Sequence, residues 1–162
     1  MYNELKLFNE VAKQLFNREN GKKYDNPILG KTGEVVSPHS YGLYRIISQS
    51  LRDMIKGLSC ATYDNSRILD ENKYMSEYTD KVKLDFDSLT VDNNGNTLIV
   101  LKSTADENVK VYLNEKLVKP YFGKNYLQDF EFYGNMENTS KTPVYITNYD
   151  VVYACICPVN HK

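Results

Sequence analysis

Two cysteines and a histidine near the C-terminus have the residue types of a metal site. Cys155 and Cys157 are two positions apart, so on a β-strand both thiols face the same way, and His161 follows closely. A soft metal such as zinc would take its fourth ligand from Cys60 or His39. One intervening residue is a poor spacing for zinc, and cysteine is common in protein cores. The sequence therefore favours ordinary strand cysteines and predicts no cofactor, with zinc as the open alternative.

A second candidate is the segment 25–32, which reads D-N-P-I-L-G-K-T and ends like a phosphate-binding loop. Asp25 stands where that loop needs its first glycine, and a carboxylate there would repel phosphate. Gly33 and Pro38 follow in place of a continuous helix whose N-terminus could hold an anion. We interpret the segment as a connector between structured elements.

Acid–base chemistry has few candidate residues in this chain. His39 and His161 are the only imidazoles, and neither lies in a nucleophile motif or beside an obvious nucleophile. Asp85 and Asp87 would share one face of a strand, but the solvent face of an antiparallel sheet explains such a pair without a substrate. We predict a protein that is not an enzyme, with no catalytic residues.

Composition excludes several classes of function. The chain has 162 residues and a net charge of -1, so it has no overall field to hold a polyanion, and nucleic acid is not predicted as the main partner. No stretch approaches the roughly 20 apolar residues of a membrane span, and the first residues do not resemble a signal peptide. Three cysteines do not make a disulfide framework. We expect synthesis in a reducing cytoplasm and no membrane partner.

The first half of the chain has the periodicity of helices. Apolar residues at spacings of three and four predict a first helix ending at Asn20-Gly21, and three glycines with Pro27 predict a long loop over residues 21–37. Ser37-Pro38 predicts the start of a second helix that ends near Gly57. Its apolar face would comprise Leu43, Ile47, Leu51, Met54 and Leu58. A third helix is predicted over about residues 65–78.

The second half alternates with period two and predicts strands. Val82, Leu84 and Phe86 alternate with charged residues, and the turn at residues 92–96 leads into a strand at residues 98–101. Residues 109–118 predict a tight hairpin around Asn114-Glu115. Further strands are predicted at residues 127–132, 144–147 and 151–156. The fold class is therefore α+β, with a helical region (1–80, including the loop at 21–37) followed by a small antiparallel β-sandwich or barrel (81–162).

Tyrosine is abundant, with 14 residues and no tryptophan. Tyrosine is favoured at interfaces because its ring buries a large apolar surface while its hydroxyl remains hydrated. The sequence leaves open whether the rings form a protein interface, form a sugar-binding face or cover a small core. The tyrosines in question lie in the second half: Tyr112, Tyr121, Tyr126, Tyr133, Tyr145, Tyr149 and Tyr153.

One stretch of the second half resembles a known class of protein. Residues 109–121 read V-K-V-Y-L-N-E-K-L-V-K-P-Y, and a return stretch ends in Asp150-Val151-Val152. This pattern resembles the hairpin and return in small β-sandwich domains of bacteriophage virion proteins, where a V-x-V-Y-L-N-G-x-x-L hairpin is common and Glu115 here replaces the glycine. The resemblance implies a structural module of a neck, tail or fibre assembly, and it carries over no functional residue.

We therefore expect a non-enzymatic virion structural protein, either a head-tail connector, a tail component or a fibre component. Its partners would be other virion proteins or copies of itself in a ring. Two alternatives remain open, a phage inhibitor of a host defence enzyme and a carbohydrate-binding module. An amphipathic helix followed by a long loop can lie across a neighbour, so partner contacts are predicted in the first helix and the loop 22–36. The predicted contact residues are Leu5, Phe8, Leu15, Phe16, Tyr24, Ile28 and Leu29.

Overall fold

The structure is a computed structural model that describes residues 1–16, 28–39, 41–62, 68–76 and 78–161. The side chains of residues 15, 16, 28, 58–62, 68, 69 and 71 lie outside that description. The chain divides into two compact units, Asn3–Met75 and Ser76–Lys162, and the first two residues, Met1–Tyr2, belong to the second unit.

The first unit combines helices with a small sheet. In chain order its elements are α1 (Glu4–Phe16), β1 (Ile28–Gly30), β2 (Val35–Ser37), β3 (Gly42–Arg45), α2 (Gln49–Thr62), β4 (Ile68–Leu69) and α3 (Glu71–Tyr74). Strand order is β4-β1-β2-β3, with β1 and β4 parallel and the other pairs antiparallel. Its core is formed by fully buried side chains: Leu7, Val11, Leu29, Val35, Val36, Tyr44, Ile46 and Ile55.

Polar side chains fix where the two long helices begin. Asn3 caps α1, since its Oδ1 accepts the Lys6 N–H at 3.1 Å. Glu4, on the first turn of α1, accepts the backbone N–H of Ile47 at 2.6 Å and that of Ser48 at 3.2 Å. These N–H groups lie just before α2, where a helix has unpaired donors and a positive dipole end. One carboxylate therefore joins α1 to the start of α2.

Removal of this carboxylate is expected to destabilise the first unit. Glu4→Ala leaves two N–H donors without their acceptor, and loss of a comparable helix cap costs about 0.5–2 kcal/mol. Urea unfolding monitored by circular dichroism measures the change. Lys6→Ala, at an exposed position on the same helix, is the control and should leave the midpoint within error. Equal midpoints for the Glu4 variant and the parent would contradict the capping role.

The structure corrects three predictions for the first half. The loop predicted over residues 21–37 contains strands β1 and β2, and its residues 21–27 lie outside the described part. The second helix begins at Gln49, because Ser37 bonds its hydroxyl to the backbone oxygen of His39 and caps no helix. Tyr44 and Ile46 are buried in alternation, so the chain before Gln49 is extended. Of the third predicted helix, the described residues give only β4 and the single turn α3.

The predicted apolar face of the second helix is also wrong in part. Among the described side chains of α2, Ile55 is fully buried and Met54 is exposed, while the side chain of the predicted Leu58 lies outside the description. Ile47, which precedes the helix, is exposed as well. Leu43, Ile47 and Leu51 have helical spacing in the sequence but lie in three different elements. Leu43 is in β3, Ile47 is in the connection, and Leu51 is in α2.

The second unit is an antiparallel sheet. Its elements are β5 (Lys81–Val91), β6 (Thr97–Ser103), β7 (Lys110–Asn114), a 3-10 turn (Glu115–Leu117), α4 (Lys119–Phe122), α5 (Tyr126–Asp129), β8 (Glu131–Asn135), β9 (Val144–Asn148) and β10 (Val151–Ile156). Strand order is β10-β9-β8-β5-β6-β7, with every neighbour antiparallel. The predicted α+β class is confirmed, and six strands occupy the second half.

β6 lies at the centre of the hydrophobic core. Its four consecutive residues Leu98, Ile99, Val100 and Leu101 are all buried, so both faces of the strand are covered. The tail after β10 reaches β7, where Val159 donates its N–H to the Tyr112 backbone oxygen at 2.8 Å. The ring of His161 lies 4.8 Å from that of Tyr112.

Two strand predictions in the second half are wrong. Residues 116–118 do not return as a hairpin, because the Asn114 side chain accepts the Lys116 N–H at 3.1 Å and starts the 3-10 turn. Pro120 then lies in the first turn of α4, a position that proline favours. The strand predicted at residues 127–132 begins only at Glu131, since α5 precedes it.

The turn between β5 and β6 is held by one carboxylate. Asp92 accepts the N–H groups of Asn94 and Asn96, both at 2.9 Å, and Gly95 has a φ of 81° that suits glycine. The predicted turn is confirmed. The Asn96 backbone N–H, followed by the Asn96 side chain, lowers the pKa of Asp92 below 3.8.

Because of this carboxylate, we expect the stability of the fold to fall in acid. Because the folded pKa is lowered, the stabilisation from Asp92 is complete above pH about 4 and is lost as the pH falls through the lowered value. Thermal unfolding of the parent and of Asp92→Asn should therefore differ most near neutral pH and converge toward pH about 2. A difference that does not change with pH would show that the charge has no role in the turn.

Candidate functional site

Strand β5 extends beyond the strand that covers one of its sides. On that side β8 pairs only with residues 81–84, whereas on the other side β6 pairs with residues 84–91. Residues 85–91, which we call the β5 edge, have no strand partner on the β8 side among the described residues. Seven residues of strand present about 23 Å of sheet edge at 3.3 Å per residue.

The β5 edge directs unpaired backbone groups outward. Asp92 donates its N–H to Asn96 across the turn at 3.0 Å, so the N–H of Asp92 points toward β6. Successive residues of a strand alternate in direction, which turns the N–H and C=O groups of Val91 and Leu89 away from β6. An unpaired edge of this kind is a template for another strand.

The side chains of the β5 edge form an exposed apolar row. Phe86, Leu89 and Val91 are 44%, 52% and 60% exposed. A β-bulge between Phe86 and Ser88 brings all three onto one face, since their partners on β6 are Leu101, Ile99 and Thr97, which alternate along that strand. We call these three residues the apolar row.

The apolar row continues the hydrophobic core. Leu101 pairs with Val111 of β7, and Ile99 pairs with Leu113; all four of these side chains are fully buried. The same layer of the sheet is thus buried on β6 and β7 and exposed on β5. A further strand paired with β5 would cover the apolar row and so extend the buried layer by one strand.

A cleft lies where β8 begins, at the end of the β5 edge. It holds about 260 Å³ and is lined by residues 83–86, 127, 128 and 130–132. Phe130 is fixed at this position by ring contacts with Phe122, centroids 4.8 Å apart, and with Tyr153, 5.6 Å apart. Tyr2 contacts both of those rings at 5.0 Å. The aromatic cluster therefore holds the wall of the cleft.

The surroundings of the cleft are acidic. Asp85 and Glu131 line it, and an adjoining cleft of about 340 Å³ adds Asp129 and Asp150. Lys83 is the basic side chain of the two linings, and its Nζ lies 3.6 Å from Glu131 Oε1. The Tyr133 hydroxyl also donates to Glu131, at 2.9 Å. The N-terminal ammonium of Met1 lies 3.8 Å from Asp129 Oδ2. A cationic group entering here would meet Asp85 and Asp150 beside these two ion-paired carboxylates.

The adjoining cleft is bordered by a strained hairpin tip. Tyr149 and Asp150 connect β9 to β10 with φ values of 48° and 63°, which a tight two-residue turn requires. Tyrosine is rare in this conformation, and Tyr149 is 94% exposed. The turn therefore presents an aromatic ring beside the acidic surface.

Of the predicted contact residues of the first unit, the three with described side chains do not share one surface. Leu5 is 56% exposed on α1, whereas Phe8 and Leu29 are buried in the core. Leu15 and Phe16 end α1 and Ile28 begins β1, with side chains outside the description, and Tyr24 lies outside the described residues. As partner contacts these residues stay a prediction.

The terminal cysteines differ in environment. Cys155 is buried in β10, and Cys157 is exposed just after that strand. Burial, followed by the charge of Cys157, raises the pKa of Cys155 to about 12, and burial raises that of Cys157 as well. Among the described residues no group of three or more His, Cys, Asp or Glu side chains is placed to hold a metal.

These environments predict an order of thiol reactivity. The thiolate is the nucleophile, so at pH about 8 iodoacetamide should modify Cys157 slowly and leave Cys155 unmodified until the protein unfolds. Peptide mass spectrometry of a time course measures both sites. Modification of Cys155 at the rate of Cys157 in the native protein would contradict the burial of that strand.

His39 lies in a polar cluster of the first unit. Its Nε2 is 3.1 Å from the Tyr44 hydroxyl, and its Nδ1 accepts the Tyr41 N–H at 3.1 Å. Burial lowers the pKa of His39 despite the opposing effect of Glu10. Both ring nitrogens are engaged within the protein, which accounts for this histidine structurally.

Several of the tyrosines belong to the core. Tyr121, Tyr126 and Tyr145 are buried, so these three rings cannot line a sugar-binding face. Tyr126 donates its hydroxyl to Glu115 at 2.9 Å. Among the seven tyrosines named for the second half, Tyr149 is the exposed one.

No family model, curated protein or solved structure matches this chain. Within the described residues, no helix is both long enough and apolar enough to span a membrane.

The sequence predicts β5 as a strand but does not predict the β5 edge as a binding site. The sequence does contain an indication of this edge. The alternating apolar residues occupy even positions at Val82, Leu84 and Phe86 and then odd positions at Leu89 and Val91. A three-residue step in an alternating run indicates a bulge. The bulge returns Leu89 to the face of Phe86 and completes the apolar row.

Proposed function

We propose that this chain is a non-enzymatic structural protein of a bacteriophage virion, in a head-tail connector, tail or fibre, and that it works through contacts with neighbouring proteins. The β5 edge is the observation that carries the proposal. Soluble proteins protect such edges with lysine, proline, other charged side chains, bulges or a covering element. Residues 85–91 have a bulge and two aspartates but neither lysine nor proline, and the three side chains of the apolar row stand exposed on one face.

The assignment to a virion has separate support in the sequence. The virion pattern is matched in part by β7, which lies within the stretch V-K-V-Y-L-N of residues 109–114, and by the return strand β10. The hairpin of that pattern is replaced here by the 3-10 turn and α4, so the support comes from those two strands alone. Permanent assembly would cover the β5 edge throughout the life of the protein, which suits a virion component.

Peptide mass spectrometry of purified particles from the encoding phage tests this function. The chain should be present at a fixed ratio to the major virion proteins and should stay bound through density-gradient purification. Its absence from particles would contradict the virion role. A free chain that titrates a host enzyme would support the inhibitor alternative, and a sugar-dependent change in tyrosine fluorescence would support the carbohydrate alternative.

A further inference from the structure

We infer that the β5 edge binds an extended segment of a partner protein, which pairs antiparallel to β5 and places a lysine or arginine in the cleft at the start of β8. The inference rests on the proposed function only in taking the partner to be a protein. It assigns the chemistry of that partner: alternating apolar residues ending in a cation.

The direction of the added strand follows from the fold. Every strand pair of the second unit is antiparallel, and β8 already pairs in that direction with residues 81–84 of β5. An antiparallel strand on the β5 edge would run in line with β8 and end opposite Asp85. That end lies at the cleft, because both Asp85 and Glu131 line it.

The side-chain pattern of the partner follows from the ladder. Positions opposite Val91, Leu89 and Phe86 lie over the apolar row, so they call for apolar residues. The position between the first two lies over Thr90, and the bulge sets Asp87 and Ser88 together against the next one, as it does on β6, so polar residues suffice at both. This alternation has the period of a strand.

The cleft determines which type of residue the partner segment carries at its last position. Its volume of about 260 Å³ is below the roughly 300–1,000 Å³ of small-molecule pockets, and it suits a single long side chain. Phe86 and Phe130 offer apolar surface for an aliphatic stem, while Asp85 and Glu131 offer acceptors for the charged head. A carboxylate in this position would meet like charges.

The test uses the full chain labelled with ¹⁵N and two synthetic peptides, Val-Thr-Val-Thr-Val-Lys and Val-Thr-Val-Thr-Val-Glu, with blocked ends. Titration followed by NMR should move the amide signals of Leu89 and Val91. The lysine peptide should bind about fivefold more tightly than the glutamate peptide at low salt, and high salt should reduce that ratio.

Two pairs of variants separate the parts of the inference. Leu89→Pro removes an outward N–H and should abolish binding, whereas Leu89→Thr keeps the N–H and should weaken binding only a few-fold. Asp85→Asn should reduce the preference for lysine, and Asn93→Asp, an exposed change in the β5–β6 turn, should leave that preference unchanged.

Three outcomes would overturn the inference. One is equal binding of the two peptides, and another is full binding by Leu89→Pro in a variant whose spectrum shows a folded protein. The third is a doubled mass in solution that Leu89→Pro abolishes, without peptide binding, since the occupant would then be a second copy. Presence in particles without peptide binding would leave the proposed function standing, and peptide binding without presence in particles would contradict only the virion role.

Discussion

Ile99→Ala is expected to lower the free energy of unfolding by about 2–5 kcal/mol, whereas Leu89→Ala lowers it by less than about 1 kcal/mol. The two residues are direct partners on neighbouring strands. Ile99 is fully buried, so its truncation leaves a cavity in the core. Leu89 is 52% exposed, so its truncation removes little packing.

Denaturant unfolding of the isolated protein measures both changes. The pair is informative because the side chains are of equal size and lie on the same face of one ladder. If the Leu89 variant lost as much stability as the Ile99 variant, the apolar row would be part of the folded core, and its role as a binding surface would be wrong.

The proposed virion function predicts that Leu89→Lys abolishes incorporation of the protein into particles while leaving its fold intact. A lysine on an edge strand is the device with which proteins prevent pairing of that edge, because a neighbouring strand would have to bury the charge beside its own backbone. The half-exposed side chain at this position leaves room for the longer lysine to reach solvent.

Complementation of a phage lacking the gene, followed by quantitative mass spectrometry of particles, measures incorporation. Asn93→Lys adds the same charge at an exposed position in the adjacent turn and should be incorporated normally. Incorporation of the Leu89 variant at the level of the parent would place the assembly contact elsewhere on the molecule.

The sequence predicts local elements well where one periodicity dominates. In α1, Leu7, Phe8, Val11 and Ala12 are buried at helical spacing, and in β6 four consecutive apolar residues are covered on both faces. The turn at Asp92 follows from turn residues that bond to their own backbone. In these segments the local preference agrees with the packing of the whole unit.

Predictions fail where two interpretations of one segment compete. Ser37-Pro38 has the composition of a helix start, but the burial of Tyr44 and Ile46 makes the following residues a strand. Asn114-Glu115 has the composition of a hairpin turn, but the Asn114 side chain starts a 3-10 turn. Tertiary packing decides the first case and a local side-chain cap decides the second, and composition alone distinguishes neither from its alternative.

The candidate site depends on the relative lengths of two strands. Phe86, Leu89 and Val91 are exposed because β8 begins at Glu131, after the short helix α5, and so covers only the first part of β5. The alternation in residues 82–86 predicts a strand but not what lies beside it. For this reason the sequence predicts partner contacts on α1 and the following loop and none on the β5 edge.

Amide hydrogen exchange at the β5 edge tests the central claim most directly. In the free protein the N–H groups of Leu89 and Val91 should exchange rapidly, since they face outward without a partner, while that of Thr90 is protected by β6. In assembled particles the amides of Leu89 and Val91 should become as protected as that of Thr90. Rapid exchange of both amides in the assembled state would show that no strand covers this edge and would contradict the account.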